Sequence, residues 1–130
     1  MIIRQDLTRS QAERAMDEGE FDESVTAAAP RVAVVLSQDW CGQWTAMDRY
    51  LSELSAAGGE PRGEGQGSGE QIVVFHLVYN TVEYFHAFMG FKETVWRNAL
   101  IPYVRYYRNG RLVGQSNYVS QNQFLALLEP

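Results

Sequence analysis

The segment Arg31 to Ser37 holds five consecutive apolar residues, Val32-Ala33-Val34-Val35-Leu36, three of them β-branched. A run without polar alternation suits a strand covered on both faces, so helices must lie on both sides of its sheet. Ile72-Val73-Val74-Phe75-His76-Leu77-Val78 repeats the pattern. Between the two runs, Trp44, Met47, Tyr50, Leu51 and Leu54 recur at helical spacing. Strand, helix, strand implies a parallel crossover, which is normally right-handed. Further on, Tyr103 to Tyr107 reads as a third strand. Asn109-Gly110 follows as a hairpin turn, because both positions tolerate positive φ. Arg111 to Asn117 returns as a fourth strand. Ser120 then caps a last helix carrying Phe124, Leu125, Leu127 and Leu128. The expected architecture is a three-layer α/β/α sandwich around a mixed central sheet.

Residues 1–30 read as an N-terminal helical segment. Ser10-Gln11-Ala12-Glu13 has the capping-box pattern, with Ala12, Ala15 and Met16 behind it. Gly19 breaks the first piece, and Phe21 and Val25 belong to a second that ends near Ala29-Pro30. Val82 to Ala99 reads as helical and aromatic, divided at Gly90. Residues 58–70 are glycine-rich and nearly devoid of apolar groups, the composition of a mobile loop. They lack the Lys-Ser/Thr ending of a phosphate-binding loop. With 130 residues and 45% hydrophobic content, the chain reads as one domain, residues 1–130, that needs no disulfide or metal staple.

The net charge of −5 argues against a nucleic-acid backbone or an anionic membrane as the partner. A single cysteine excludes an intramolecular disulfide. One cysteine and two distant histidines give no metal-ligand spacing, and no cofactor is expected. No apolar stretch is long enough to cross a bilayer, and the start lacks the apolar core of a secretory signal. A cytoplasmic protein is the default reading.

Cys41 follows a buried strand and opens a helix. Free N–H groups and the positive dipole end at such a position favour anions, and thiolate is the nucleophilic form of cysteine. A small buried residue is the competing reading. Asp39 reads as a helix cap, His76 as a core or edge residue, and His86 as part of an aromatic helix. Tyr79, Tyr84, Phe85, Phe88, Phe91 and Trp96 read as core. In the third strand Tyr103, Arg105 and Tyr107 alternate with Val104, Tyr106 and Arg108, and one of the two faces is expected to be solvated.

Strand, then Asp39-Trp40-Cys41-Gly42-Gln43-Trp44, then a helix with Met47, resembles the active-site turn of thioredoxins. The likeness extends to Ile101-Pro102, strand, Asn109-Gly110, strand and helix, and covers roughly Arg31 to Leu128. It is the ordered set, not Trp-Cys-Gly alone, that makes the resemblance specific. The resemblance implies a cis Ile101-Pro102 bond beside Cys41, and an extended partner chain pairing with the Ile101 backbone. It also exposes departures. Cys-Gly-Gln-Trp replaces Cys-X-X-Cys, so the family's resolving cysteine falls on Trp44. The family's buried acid falls on Val35, and the glycine after its last strand falls near Tyr118, whose ring would cover part of the groove.

A dithiol reductase clears its mixed disulfide with the second thiol, which Trp44 cannot supply. Two readings follow from the resemblance. In one, the chain is an atypical thioredoxin-like protein with single-thiol exchange through Cys41. Its partner, a protein or low-molecular-weight thiol, would lie in a groove formed by Trp40, Gly42, Gln43, Trp44, Ile101, Pro102 and Tyr118. In the other, the fold is a redox-inactive interaction module that uses the same groove or the aromatic helix.

Overall fold

The computed structural model describes residues 2–57 and 71–129. Five strands, β1 (Ile2–Asp6), β2 (Arg31–Ser37), β3 (Ile72–Val78), β4 (Tyr103–Arg108) and β5 (Arg111–Ser116), form one sheet in the order β1-β3-β2-β4-β5. β1 and β2 both run parallel to β3, whereas β4 is antiparallel to β2 and to β5. The helices are α1 (Arg9–Glu18), α2 (Glu23–Thr26), α3 (Gly42–Ala57), α4 (Phe85–Thr94) and α5 (Gln121–Leu127).

Period-two geometry turns the continuous apolar runs into two separate cores. Val32, Val34 and Leu36 of β2 pack with Val73, Phe75 and Leu77 of β3 and with Ala12, Val25, Phe88 and Phe91 from α1, α2 and α4. Ala33 and Val35 point the other way, toward Trp44, Met47, Leu51 and Phe124 from α3 and α5. The result is a mixed sheet with helices on both faces. The turn at Asn109 and Gly110 has φ values of 50° and 82°, the left-handed pair that a two-residue hairpin requires.

Several expectations need correction. Residues 1–30 are not wholly helical, because Ile2–Asp6 is an edge strand paired with Ile72–His76. The cap of α1 is Thr8, not Ser10, and its capping box closes on Gln11. Gly90 does not divide the aromatic segment; it lies inside α4, which runs unbroken from Phe85 to Thr94. That helix is also shorter than the segment 82–99, and a 3-10 turn at Tyr79–Thr81 precedes it. Neither face of β4 is solvated: Tyr103 to Tyr107 are all buried. The glycine-rich stretch 58–70 lies outside the described residues. Among the described residues, no helix is long and apolar enough to cross a membrane.

Candidate functional site

β2 ends at Ser37, and the chain turns through Gln38 to Trp40 before α3 begins at Gly42. The Cys41 amide donates to the Gln38 carbonyl at 3.2 Å, which closes that turn. The Cys41 carbonyl starts the helix by accepting from the Thr45 amide at 3.1 Å. Cys41 is 7% exposed, and its Sγ donates to the Ile101 carbonyl at 3.8 Å. The Ile101–Pro102 peptide is cis. Two distant segments, the start of α3 and the approach to β4, therefore meet at one sulfur atom.

Around this sulfur the side chains divide by exposure. Trp40 stands 69% exposed, its indole N–H donating to Gln38 Oε1 at 2.6 Å. Gly42 and Gln43 are exposed on the first turn of α3. Leu100, next to Ile101, is also exposed. Asp39 does not act as the helix cap expected of it; it exchanges two hydrogen bonds with Asn80, backbone to side chain at 3.0 Å and side chain to side chain at 2.8 Å.

Trp44 is buried. Its ring lies 6.1 Å from the His76 ring and beneath the Arg4 guanidinium at 5.9 Å. It therefore packs toward the β1 edge of the sheet and presents no open surface. There, His76 Nε2 donates to Asp6 at 2.7 Å, and Arg4 bonds Asp48 at 2.7 Å. Burial, with the Arg4 cation second, lowers the His76 pKa below its ordinary value. Tyr118 is exposed between β5 and α5, where its nearness, after burial and the Tyr106 ring, helps raise the Tyr50 pKa. The contacts described around Cys41 do not include Tyr118.

The chain superposes on solved structures of one architecture. It matches thioredoxin O1 from Arabidopsis thaliana with a TM-score of 0.60 at 10% identity, over 97% of this chain and 93% of that one. It matches Trxlp from Edwardsiella tarda with a TM-score of 0.55 at 16% identity, over 98% and 100%. Thioredoxin f2 from Chlamydomonas reinhardtii gives 0.54 at 14% identity, over 98% and 93%. The chain has the thioredoxin fold. No protein-family model and no curated protein matches its sequence.

On this thioredoxin fold, one thiol occupies the turn after β2 and no second thiol exists in the chain. Val35, fully buried between α3 and β4, offers no proton to the site. Among the described residues no cluster of His, Cys, Asp or Glu could hold a metal ion. Sequence reasoning missed the supports of the site: Gln38 and Asn80 beside Trp40 and Asp39, and Lys92, Asn98 and Asn117 beneath Ile101. Lys92 did leave a signal, since it falls four residues after Phe88 on the apolar face of an aromatic helix.

Proposed function

We propose that the protein carries out single-thiol exchange through Cys41. The Cys41 thiolate attacks one sulfur of a partner disulfide, forming a mixed disulfide and expelling the partner's other sulfur as a thiolate. An external thiol then attacks the mixed disulfide, restores Cys41 and takes the bound sulfur as a new disulfide. Trp44 leaves no internal route for the second step. The observation that carries this reading is the position of Cys41 Sγ, at the start of α3 and 3.8 Å from the Ile101 carbonyl. Exposed Trp40 and Leu100 flank it and give an extended partner apolar surface to lie on.

The test is to mix the reduced protein with a disulfide-bridged peptide and follow adduct formation by mass. The peptide should attach at Cys41 faster than to free cysteine at the same pH, and added glutathione should release it. An attachment rate no higher than that of free cysteine rules the reading out. The resting geometry favours one rival, a binding module, because the thiol is nearly covered. Under that rival, Cys41→Ser retains partner affinity and loses nothing else.

A further inference from the structure

The sequence contains one lysine, Lys92, and it is wholly buried on α4. An ammonium in a core is costly unless its donors are used. Nζ donates to the Asn98 carbonyl at 2.7 Å and to the Leu100 carbonyl at 2.9 Å. The Tyr79 and Tyr103 rings lie 6.0 and 5.5 Å from it, close enough for their faces to attract the cation. Both carbonyls belong to the irregular segment between α4 and β4. Asn117 grips that segment from the far side, donating to Asn98 Oδ1 at 2.9 Å and to the Pro102 carbonyl at 3.0 Å. One residue beyond Leu100 is Ile101, whose carbonyl accepts from the Cys41 thiol.

The opposite wall of the groove leads back to the same lysine. Tyr79 accepts a hydrogen bond from Gln38 at 3.4 Å, and Gln38 accepts from the Trp40 indole at 2.6 Å. Lys92 thus touches one wall directly and the other through an aromatic ring.

We propose that Lys92 is a positioning residue: by clamping the carbonyls of Asn98 and Leu100, its ammonium fixes the Ile101 wall against Cys41. Burial sets the cost of the charge against the strength of its charge-assisted bonds, so the hold on the segment changes as the ammonium titrates. Burial pushes the Lys92 pKa down to about 8, and Glu93 opposes the shift. The ionisable groups packed against it are Tyr79 from the turn after β3, Tyr103 from β4 and Glu93 beside it on α4. The clamp needs no thiol chemistry. Only its consequence for partner binding rests on the proposed role of Cys41.

A single lysine makes the test direct. Uniformly nitrogen-15-labelled protein has a single lysine Nζ resonance, which can be titrated beside the backbone amides of Leu100 and Ile101. Both should move with one midpoint near about 8 while the amides of β2 stay still. Repeating the titration in Cys41→Ser removes the thiol as a cause. In Lys92→Met the titration at Ile101 should vanish. Hydrogen exchange at Leu100, Ile101 and Tyr103 should rise about tenfold beyond the rest of the sheet, as expected when a charge-assisted bond is lost. Ile101 amides that ignore the lysine titration overturn the proposal. So does exchange in Lys92→Met that is unchanged, or raised equally across the sheet. If Lys92→Met does not fold, the titration of the native chain decides alone. If Cys41 proves inert toward disulfides, the exchange reading falls and the result for Lys92 stands by itself.

Discussion

At the scale of single residues, Trp44, where the resemblance to thioredoxins implies a second cysteine, serves packing instead. Trp44 joins α3 to the β1–β3 edge through His76 and Arg4. Trp44→Ala should lower stability by about 3–5 kcal/mol, the cost of emptying a large aromatic site, readable as a fall in the denaturant midpoint. Trp44→Cys opens nearly the same cavity. Its midpoint should fall in parallel, so activity measured on that variant must be corrected for unfolded protein. Arg105 carries a comparable load on the other face. Its guanidinium bonds Glu20 at 2.5 Å, Tyr107 at 2.9 Å and Tyr103 at 2.8 Å, and stacks on Trp96 at 4.2 Å. Glu20→Gln strands that buried cation and should cost about 3 kcal/mol, near the low end for a broken buried pair because Glu20 is partly exposed. Urea unfolding of the variant checks it. Burial, countered by Tyr107 and Glu20, leaves Arg105 with a raised pKa, so it is charged at every working pH.

At the scale of elements, legibility in the sequence followed how much local pattern each element needs. β2 and β3 were visible because both of their faces are apolar, and β4 and β5 because Asn109-Gly110 marks their turn. Gly110 holds φ at 82°, and an added Cβ would meet Ala27 only at 3.9 Å. Strain therefore decides the outcome: Gly110→Ala should cost about 1–2 kcal/mol, the penalty of a left-handed residue with a side chain, measurable by thermal unfolding. β1 was not visible. It is an edge strand whose Ile2 and Ile3 are followed by Arg4, Gln5 and Asp6, and its pairing partner lies 70 residues away in sequence. The unbroken passage of α4 through Gly90 was missed because Phe88 and Phe91 pack into the core on either side and outweigh the local cost of glycine. The buried roles of Arg105 and Lys92 were not legible because their partners come from other segments: Glu20 from the turn after α1 and the carbonyls before Pro102. The positions of Cys41, Ile101 and Pro102 could be named in advance; the side chains that hold them could not.

At the scale of the whole molecule, stability should peak at about pH 10, where the lysine contribution is nearly complete and the tyrosine loss begins. Lys92 is depressed from 10.5 to about 8, so the unfolded chain binds the extra proton between those values and stability rises with pH across that window. Tyr106 is pushed up from 10.0 to about 12 by burial, and Tyr50 and Tyr107 rise as well. The unfolded chain loses those protons first, so stability falls above pH 10. On the acid side, His76 is lowered from 6.5, and stability is lost as pH falls below 6.5 toward its folded value. A series of thermal melts from pH 5 to 11 at fixed ionic strength would trace the rise, the maximum and both declines (about the range these groups span). The buried lysine has one more consequence for the molecule as a whole. Apart from the α-amine, the folded chain shows reagents no primary amine, because its basic surface is entirely arginine. Acylation of the Lys92 side chain can proceed only when the floor beneath Ile101 lifts. The yield of that reaction over time is therefore a clock for the opening of this one wall, read by mass in a protein with no other lysine to confuse the count.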